Sequence, residues 1–170
     1  QAIWDGSGDD PSTIQATGLG SVDLTESGAQ DAFELAIVSA DLNATIVITV
    51  YTDLNNYSMA THSFGAIFTP EDVMFPYAVF AQGAGATGPA DFTDVGAIVL
   101  GIDGSAVMGL DVTIDTFETT AMVTAEKTVT DLNGGVVMPG DVLIFTVEIE
   151  NFQDEAALDA LGIGFSDDVG

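Results

Sequence analysis

The chain has no cysteine, no arginine and a single lysine, Lys127, against 27 aspartates and glutamates. Without thiols there is no disulfide framework, no thiol nucleophile and no thiolate metal site. The shortage of cations excludes more. A chain of formal charge −26 with no basic patch cannot neutralise phosphates, so nucleic acid is not a partner. Nor is there a polybasic segment to dock on anionic lipid. No apolar run reaches the ~18 residues of a spanning helix, so no membrane insertion is expected. One histidine, His62, is too few for a multi-histidine zinc site. A Gly-x-Ser-x-Gly elbow is missing too, and Ser63, next to His62 in a strand, faces the other way. These absences point to a chain that is not an enzyme. A pair of carboxylates for glycoside hydrolysis depends on three-dimensional spacing and is held as a third reading.

What the chain does have is apolar sequence. Hydrophobic residues make up 47% of it and charged residues only 16%, which separates it from acidic disordered tails. The apolar residues come in short alternating runs of strand type. Ala32–Val38 is followed by a Ser-Ala-Asp-Leu-Asn turn and then Ala44–Tyr51, where Ile46, Ile48 and Val50 share one face. Further runs are Met59–Phe68, Val73–Phe80, Val95–Ile102 and Leu110–Phe117, and the ten phenylalanines read as core. Pro76 inside one run marks an edge strand or a bulge. The glycine-rich stretch Gln82–Pro89 lacks the Lys-Ser/Thr end of a phosphate loop and reads as a flexible loop. Only Glu155–Leu161 favours helix, and it is too short to stand alone. Strands spaced by Gly, Asn and Asp turns give an all-β expectation, a β-sandwich over residues 1–120.

Near residue 121 a new pattern begins. Met122–Thr130 alternates, turns follow at Asp131-Leu132-Asn133-Gly134-Gly135 and at Met138-Pro139-Gly140-Asp141, and Val142–Glu150 forms a long strand. Its residues Leu143, Phe145, Val147 and Ile149 are uniformly apolar, so that face is expected to be buried. Residues 121–170 are thus a second region.

The stretch Glu126-Lys127-Thr128-Val129-Thr130-Asp131, followed by Met138-Pro139-Gly140-Asp141 and the strand to Asn151, resembles a known family. It is similar to the conserved-repeat domain found in tandem in large bacterial and archaeal cell-surface proteins. The tail Ile163-Gly164-Phe165-Ser166-Asp167-Asp168-Val169 resembles that family's following segment. The resemblance covers roughly the last 50 residues and implies an immunoglobulin-like surface module with a structural role and no catalytic residues. More loosely, residues 1–120 resemble jelly-roll modules of secreted proteins, some of which bind carbohydrate, through Gly20-Ser21-Val22-Asp23-Leu24, Asp31-Ala32-Phe33, Phe75-Pro76-Tyr77 and Asp91–Ile98.

An immunoglobulin-like sandwich needs about seven strands and about 100 residues. Fifty residues supply three or four. Either the sequence stops mid-domain or another chain supplies strands, with main-chain hydrogen bonds and side-chain pockets joining subunits. Such head-to-tail contacts make filaments when they do not close. Lys127, Val129, Leu143, Phe145, Val147 and Ile149 are the expected assembly residues, and the chain itself is the expected partner. Export to the cell surface or beyond is expected, because the chain opens at Gln1 as a cleaved secreted protein or a partial chain would.

Other candidate sites compete with plainer explanations. Asp5, Asp9 and Asp10 on a Gly-containing turn, with Asp91 and Asp94 around Phe92, offer hard oxygens for calcium, although solvated acidic loops would look the same. Trp4 and Tyr57 are candidate platforms for a glycan, the partner of an alternative carbohydrate-binding or adhesive reading, against packing roles in the core or an interface. Asn43 and Asn56 head glycosylation sequons. Lys127 could form an isopeptide with Asn151, assisted by Glu148 or Glu150, if it were buried and neutral; otherwise it is an exposed strand residue.

Overall fold

The computed structural model describes residues 1–6, 13–105, 108–132 and 134–151, apart from the side chains of residues 123–125 and 149–151. The helix-friendly residues 155–161 and the tail at 163–169 lie outside the described residues. Two compact units divide the chain, Gln1–Ala121 and Met122–Gly170.

The first unit is all-β. Its strands are β1 (Ala2–Trp4), β2 (Ala32–Ala40), β3 (Ala44–Tyr51), β4 (Tyr57–Phe64), β5 (Glu71–Pro76), β6 (Ala81–Gln82), β7 (Ala97–Asp103) and β8 (Val112–Thr120). They form two antiparallel sheets, one ordered β1-β7-β3-β4-β6 and the other β5-β2-β8. Alternation decides which side of each strand is buried. Ile46, Ile48 and Val50 of β3 face Phe33, Leu35 and Ile37 of β2 in one core, joined by Val73, Phe75, Ile98 and Leu100. The sheets are therefore the two layers of a sandwich. Each such side chain, fully buried, contributes about 1.5–3 kcal/mol of transfer free energy.

Aromatic rings close one end of that core. Phe33 lies 5.0 Å from Phe117 and 5.2 Å from Tyr77, and Tyr77 stacks on Phe92 at 4.3 Å. Phe68, unlike the other phenylalanines of this unit, is exposed. The run expected to reach Phe68 ends as a strand at Phe64. Ile67 then turns back to exchange backbone hydrogen bonds with Ala40, leaving Phe68 beyond the layer. Likewise β5 stops at Pro76, which cannot donate to a ladder, and residues Tyr77–Val79 form a 3-10 turn.

Among the described residues the edge strands of this sandwich are short, charged or interrupted. β1 and β6 have three and two residues, and β5 carries Glu71, Asp72 and its terminal proline. On β8 the pairing slips: Leu35 opposes Phe117 but Ile37 opposes Ile114, so a bulge falls at Asp115 and Thr116. Short strands, charges, proline and bulges all discourage a further strand from adding.

In the second unit, β9 (Val123–Asp131) and β10 (Leu143–Asn151) form a two-stranded antiparallel ribbon. Nine consecutive pairs run from Leu143 opposite Asp131 to Asn151 opposite Val123 with no slip.

Candidate functional site

The ribbon brings the expected assembly residues together. In its register Val147 pairs with Lys127, Phe145 with Val129 and Leu143 with Asp131, and with the period-2 alternation these six side chains share one face. Ile149 pairs with Ala125 at the next position of that set, and its side chain lies outside the described residues. The opposite face carries Ile144, Thr146, Glu148, Thr130, Thr128 and Glu126.

The apolar face was expected to be buried, and its described side chains are only partly so. Phe145 is 48% exposed and Val129 58% exposed, while Leu143 and Val147 are partly covered. A ribbon of two strands has no second layer of its own to lay on that face. On the polar face Glu126 sits directly opposite Glu148, a like-charge pair that opposes pairing. The hairpin between the strands adds exposed Leu132, Val136, Val137 and Met138. Among the described residues, the outer edges of both β9 and β10 are open.

Lys127 is exposed and its ammonium lies 4.8 Å from the centre of the Phe145 ring, a cation–π distance. Asn151 pairs with Val123, four residues or about 13 Å along the strand from Lys127. An exposed lysine at that separation does not have the buried geometry that isopeptide formation requires. Asp131 completes the face at its other end. Its sequence context, before a Gly-rich turn, reads as a turn residue, and only the register shows it opposite Leu143.

The expected calcium ligands are placed in different settings. Asp5 is buried, 4% exposed, and its carboxylate accepts the Gln15 N–H at 2.9 Å. Asp9 and Asp10 lie outside the described residues. Asp91 accepts both the hydroxyl and the N–H of Thr93, at 2.7 and 2.9 Å, and these bonds hold its carboxyl below the usual carboxylate range. Asp94 donates its N–H to the Asp91 carbonyl in the same turn. Among the described residues no group of three or more acids or histidines is arranged to hold a metal ion.

The two glycan candidates do not form one platform. Trp4 pairs with Ile98, a core residue, so it lies on the inner side of β1, where its ring sits 5.3 Å from Phe117 and stays 41% exposed. Tyr57 alternates with buried Ser58 and points to the outer side of the same sheet, stacked on Tyr51 at 5.1 Å. Its hydroxyl donates to the Ala84 carbonyl. Gly83 explains that fit, since a Cβ there would sit within 1.9 Å of the Tyr57 ring. The glycine-rich stretch read as a flexible loop is thus held at its start by Tyr57, and the Asn55 carbonyl accepts the Thr87 N–H at 2.6 Å.

Two further features escaped the sequence reading. Three acids distant in sequence, Glu34, Asp72 and Glu118, meet on the outer face of the β5-β2-β8 sheet. Partial burial and then the charges of Asp72 and Glu118 push the Glu34 carboxyl up. Asn56, a sequon residue, uses its side-chain amide to donate to Asp53 at 2.9 Å. His62 is an exposed residue of β4 whose ring meets Phe75 edge-on at 6.0 Å.

No protein-family model, curated protein or solved structure matches this chain.

Proposed function

We propose that this chain is a non-enzymatic structural subunit of an extracellular filament or surface layer, in which the β9–β10 ribbon accepts a strand from a neighbouring copy. The observation that carries the reading is the unfinished ribbon: nine regular pairs, open edges among the described residues and a half-exposed apolar face. Strand addition supplies the backbone hydrogen bonds such an edge lacks, and pockets for alternate side chains give the register. A contact of this kind runs head to tail and propagates unless it closes into a ring. The −26 charge opposes association, so salt or a divalent cation such as calcium favours assembly.

Electron microscopy of the full chain, with and without a calcium chelator, tests this against a chain ending at Ala121. Fibres from the full chain and none from the shortened one are expected. A shortened chain that still polymerises, or a full chain that gives only separate particles, overturns the reading. The half-exposed Trp4 ring favours a second reading, an adhesive module that stacks a sugar there. That reading requires saturable glycan binding that disappears in Trp4→Ala.

A further inference from the structure

The chain carries two Asn-x-Ser/Thr sequons, Asn43-Ala44-Thr45 and Asn56-Tyr57-Ser58, and the sandwich treats them oppositely. From that difference we infer that Asn43 is an N-glycosylation site, an acceptor for an oligosaccharide, and that Asn56 is not one. The inference rests on the export reading, because sequons are modified in exported chains, and it is independent of filament assembly.

The sequon at Asn43 is open. Asn43 is exposed just before β3, and the pairing of Ala44 with Phe64 sets it beside Gly65. Its Oδ1 lies 3.7 Å from where a Cβ on Gly65 would sit, and no other atom beyond the chain neighbours comes within 4 Å of that point. Ala44 is buried in the core, so strand alternation sends Thr45 to the outer side of the five-stranded sheet. There its hydroxyl meets the Ser63 hydroxyl at 2.9 Å, and Thr61 and Ser63 of β4 are exposed. Asparagine amide, sequon hydroxyl and the surface around them are polar and clear of the core. A saccharide at this position breaks no buried contact and adds a bulky, solvated group to the surface.

The sequon at Asn56 is closed. Asn56 is partly buried, and its Nδ2 donates to Asp53 Oδ2 at 2.9 Å. Its Oδ1 would stand 2.8 Å from a Cβ on Gly88, the residue it bridges in the glycine-rich stretch. Ser58 is 1% exposed, and its hydroxyl accepts the Ala90 N–H at 2.9 Å. A sugar on Asn56 would have to occupy the space held by Asp53 and Gly88, and Ser58 is inaccessible as the sequon hydroxyl. Packing thus separates two motifs that sequence alone makes equivalent.

The donor is a lipid phosphate-linked oligosaccharide. A bond forms between the Asn43 Nδ2 and the anomeric carbon, and the bond from that carbon to the donor's phosphate oxygen breaks. The phosphate leaves with the electron pair, and one amide proton passes to the medium. Nothing is oxidised or reduced.

The test takes the full chain as its own producer exports it and cleaves it on the N-terminal side of aspartate. This separates residues 41–52, with Asn43, from residues 53–71, with Asn56. Tandem mass spectrometry is expected to find a saccharide on the first peptide and none on Asn56. Asn43→Gln and Thr45→Val should each lose that saccharide completely, Thr45→Ser should keep it, and Asn56→Gln should leave it unchanged. Two independent routes to its loss guard against a variant that fails to fold, and an unfolding transition like the parent's confirms that each is folded. An unmodified first peptide in the exported parent overturns the inference, as does a saccharide on Asn56. A saccharide that survives Asn43→Gln sits on a hydroxyl and overturns it too. Fibres are scored separately in micrographs. Fibres from unmodified protein would leave the filament standing without this site, whereas glycosylated chains that stay as separate particles would do the reverse.

Discussion

The two units solve the same problem to different extents. In the first, a five-stranded and a three-stranded sheet cover each other's apolar faces, and the edges end in short strands, a proline, acids or a bulge. In the second, two regular strands have neither a covering layer nor edge protection among the described residues. A β-protein that blunts some edges and leaves others regular is selective about where other strands can add. The difference is that the sandwich closes on itself among the described residues and the ribbon does not.

Equivalent truncations in the two units should then have opposite signatures. Ile48→Ala empties a fully buried site between the sheets and is expected to destabilise the sandwich by about 2–5 kcal/mol in denaturant unfolding. Phe145→Ala should change unfolding of the sandwich by no more than about 0.5 kcal/mol, yet abolish self-association. Comparable losses of stability from both would break the comparison.

A second probe tests how tightly the sandwich closes over its own chain. A Cβ on Gly96 would lie 2.1 Å from the Ala16 carbonyl oxygen and 2.8 Å from that of Thr52, both backbone atoms with little room to give. Gly96→Ala is expected to cost about 1–3 kcal/mol by overpacking. Gly65→Ala, whose nearest neighbour is the Asn43 Oδ1 at 3.7 Å, should be nearly neutral in the same unfolding assay.

Much of this architecture was legible because alternation is local. The run Ala44–Tyr51 is a strand with the expected inner face, and Pro76 does end an edge strand. What escaped depends on pairing between distant segments. β1 and β6 are too short to show a period, and exist because Trp4 and Gln82 find partners on β7 and β4. The acids Glu34, Asp72 and Glu118 come from three strands, so only the sheet order reveals their meeting. In the ribbon, the alternation of β10 identified Leu143, Phe145 and Val147. The place of Asp131 needed the register across the hairpin, and the exposure of Phe145 needed knowledge of what does not cover it.

Hydrogen bonds give a smaller effect. The Tyr77 hydroxyl donates to the Leu24 carbonyl at 3.0 Å, and burial together with nearby Asp31 raises its pKa well above the ordinary tyrosine value. Tyr77→Phe keeps the stack on Phe92 and removes only that bond, for an expected loss of about 0.5–1.5 kcal/mol in unfolding. An unchanged stability would mean that the ring alone anchors this end of the core.

The smallest effect distinguishes carboxylates that help the sandwich from one that does not. Asp23, Asp53, Asp91 and Asp103 accept hydrogen bonds in their own turns, chiefly from Thr25, Asn56, Thr93 and Ser105, and their pKa values lie below 3.8. Their contribution is present above the unfolded value and is lost as pH falls through the lower folded one. Glu34 behaves oppositely, because its folded pKa is raised above 4.5 by partial burial and by Asp72 and Glu118. Its charge weakens the fold in full above that raised value, and the burden disappears as pH falls below 4.5. Glu34→Gln should therefore stabilise the sandwich at neutral pH, by no more than about 0.5 kcal/mol at so solvated a site. Thermal unfolding across pH should show that gain fading in acid and shrinking with added salt, while the parent chain loses stability below the range where the turn aspartates protonate. A gain that persists in acid would assign it to packing of the amide rather than to relief of charge.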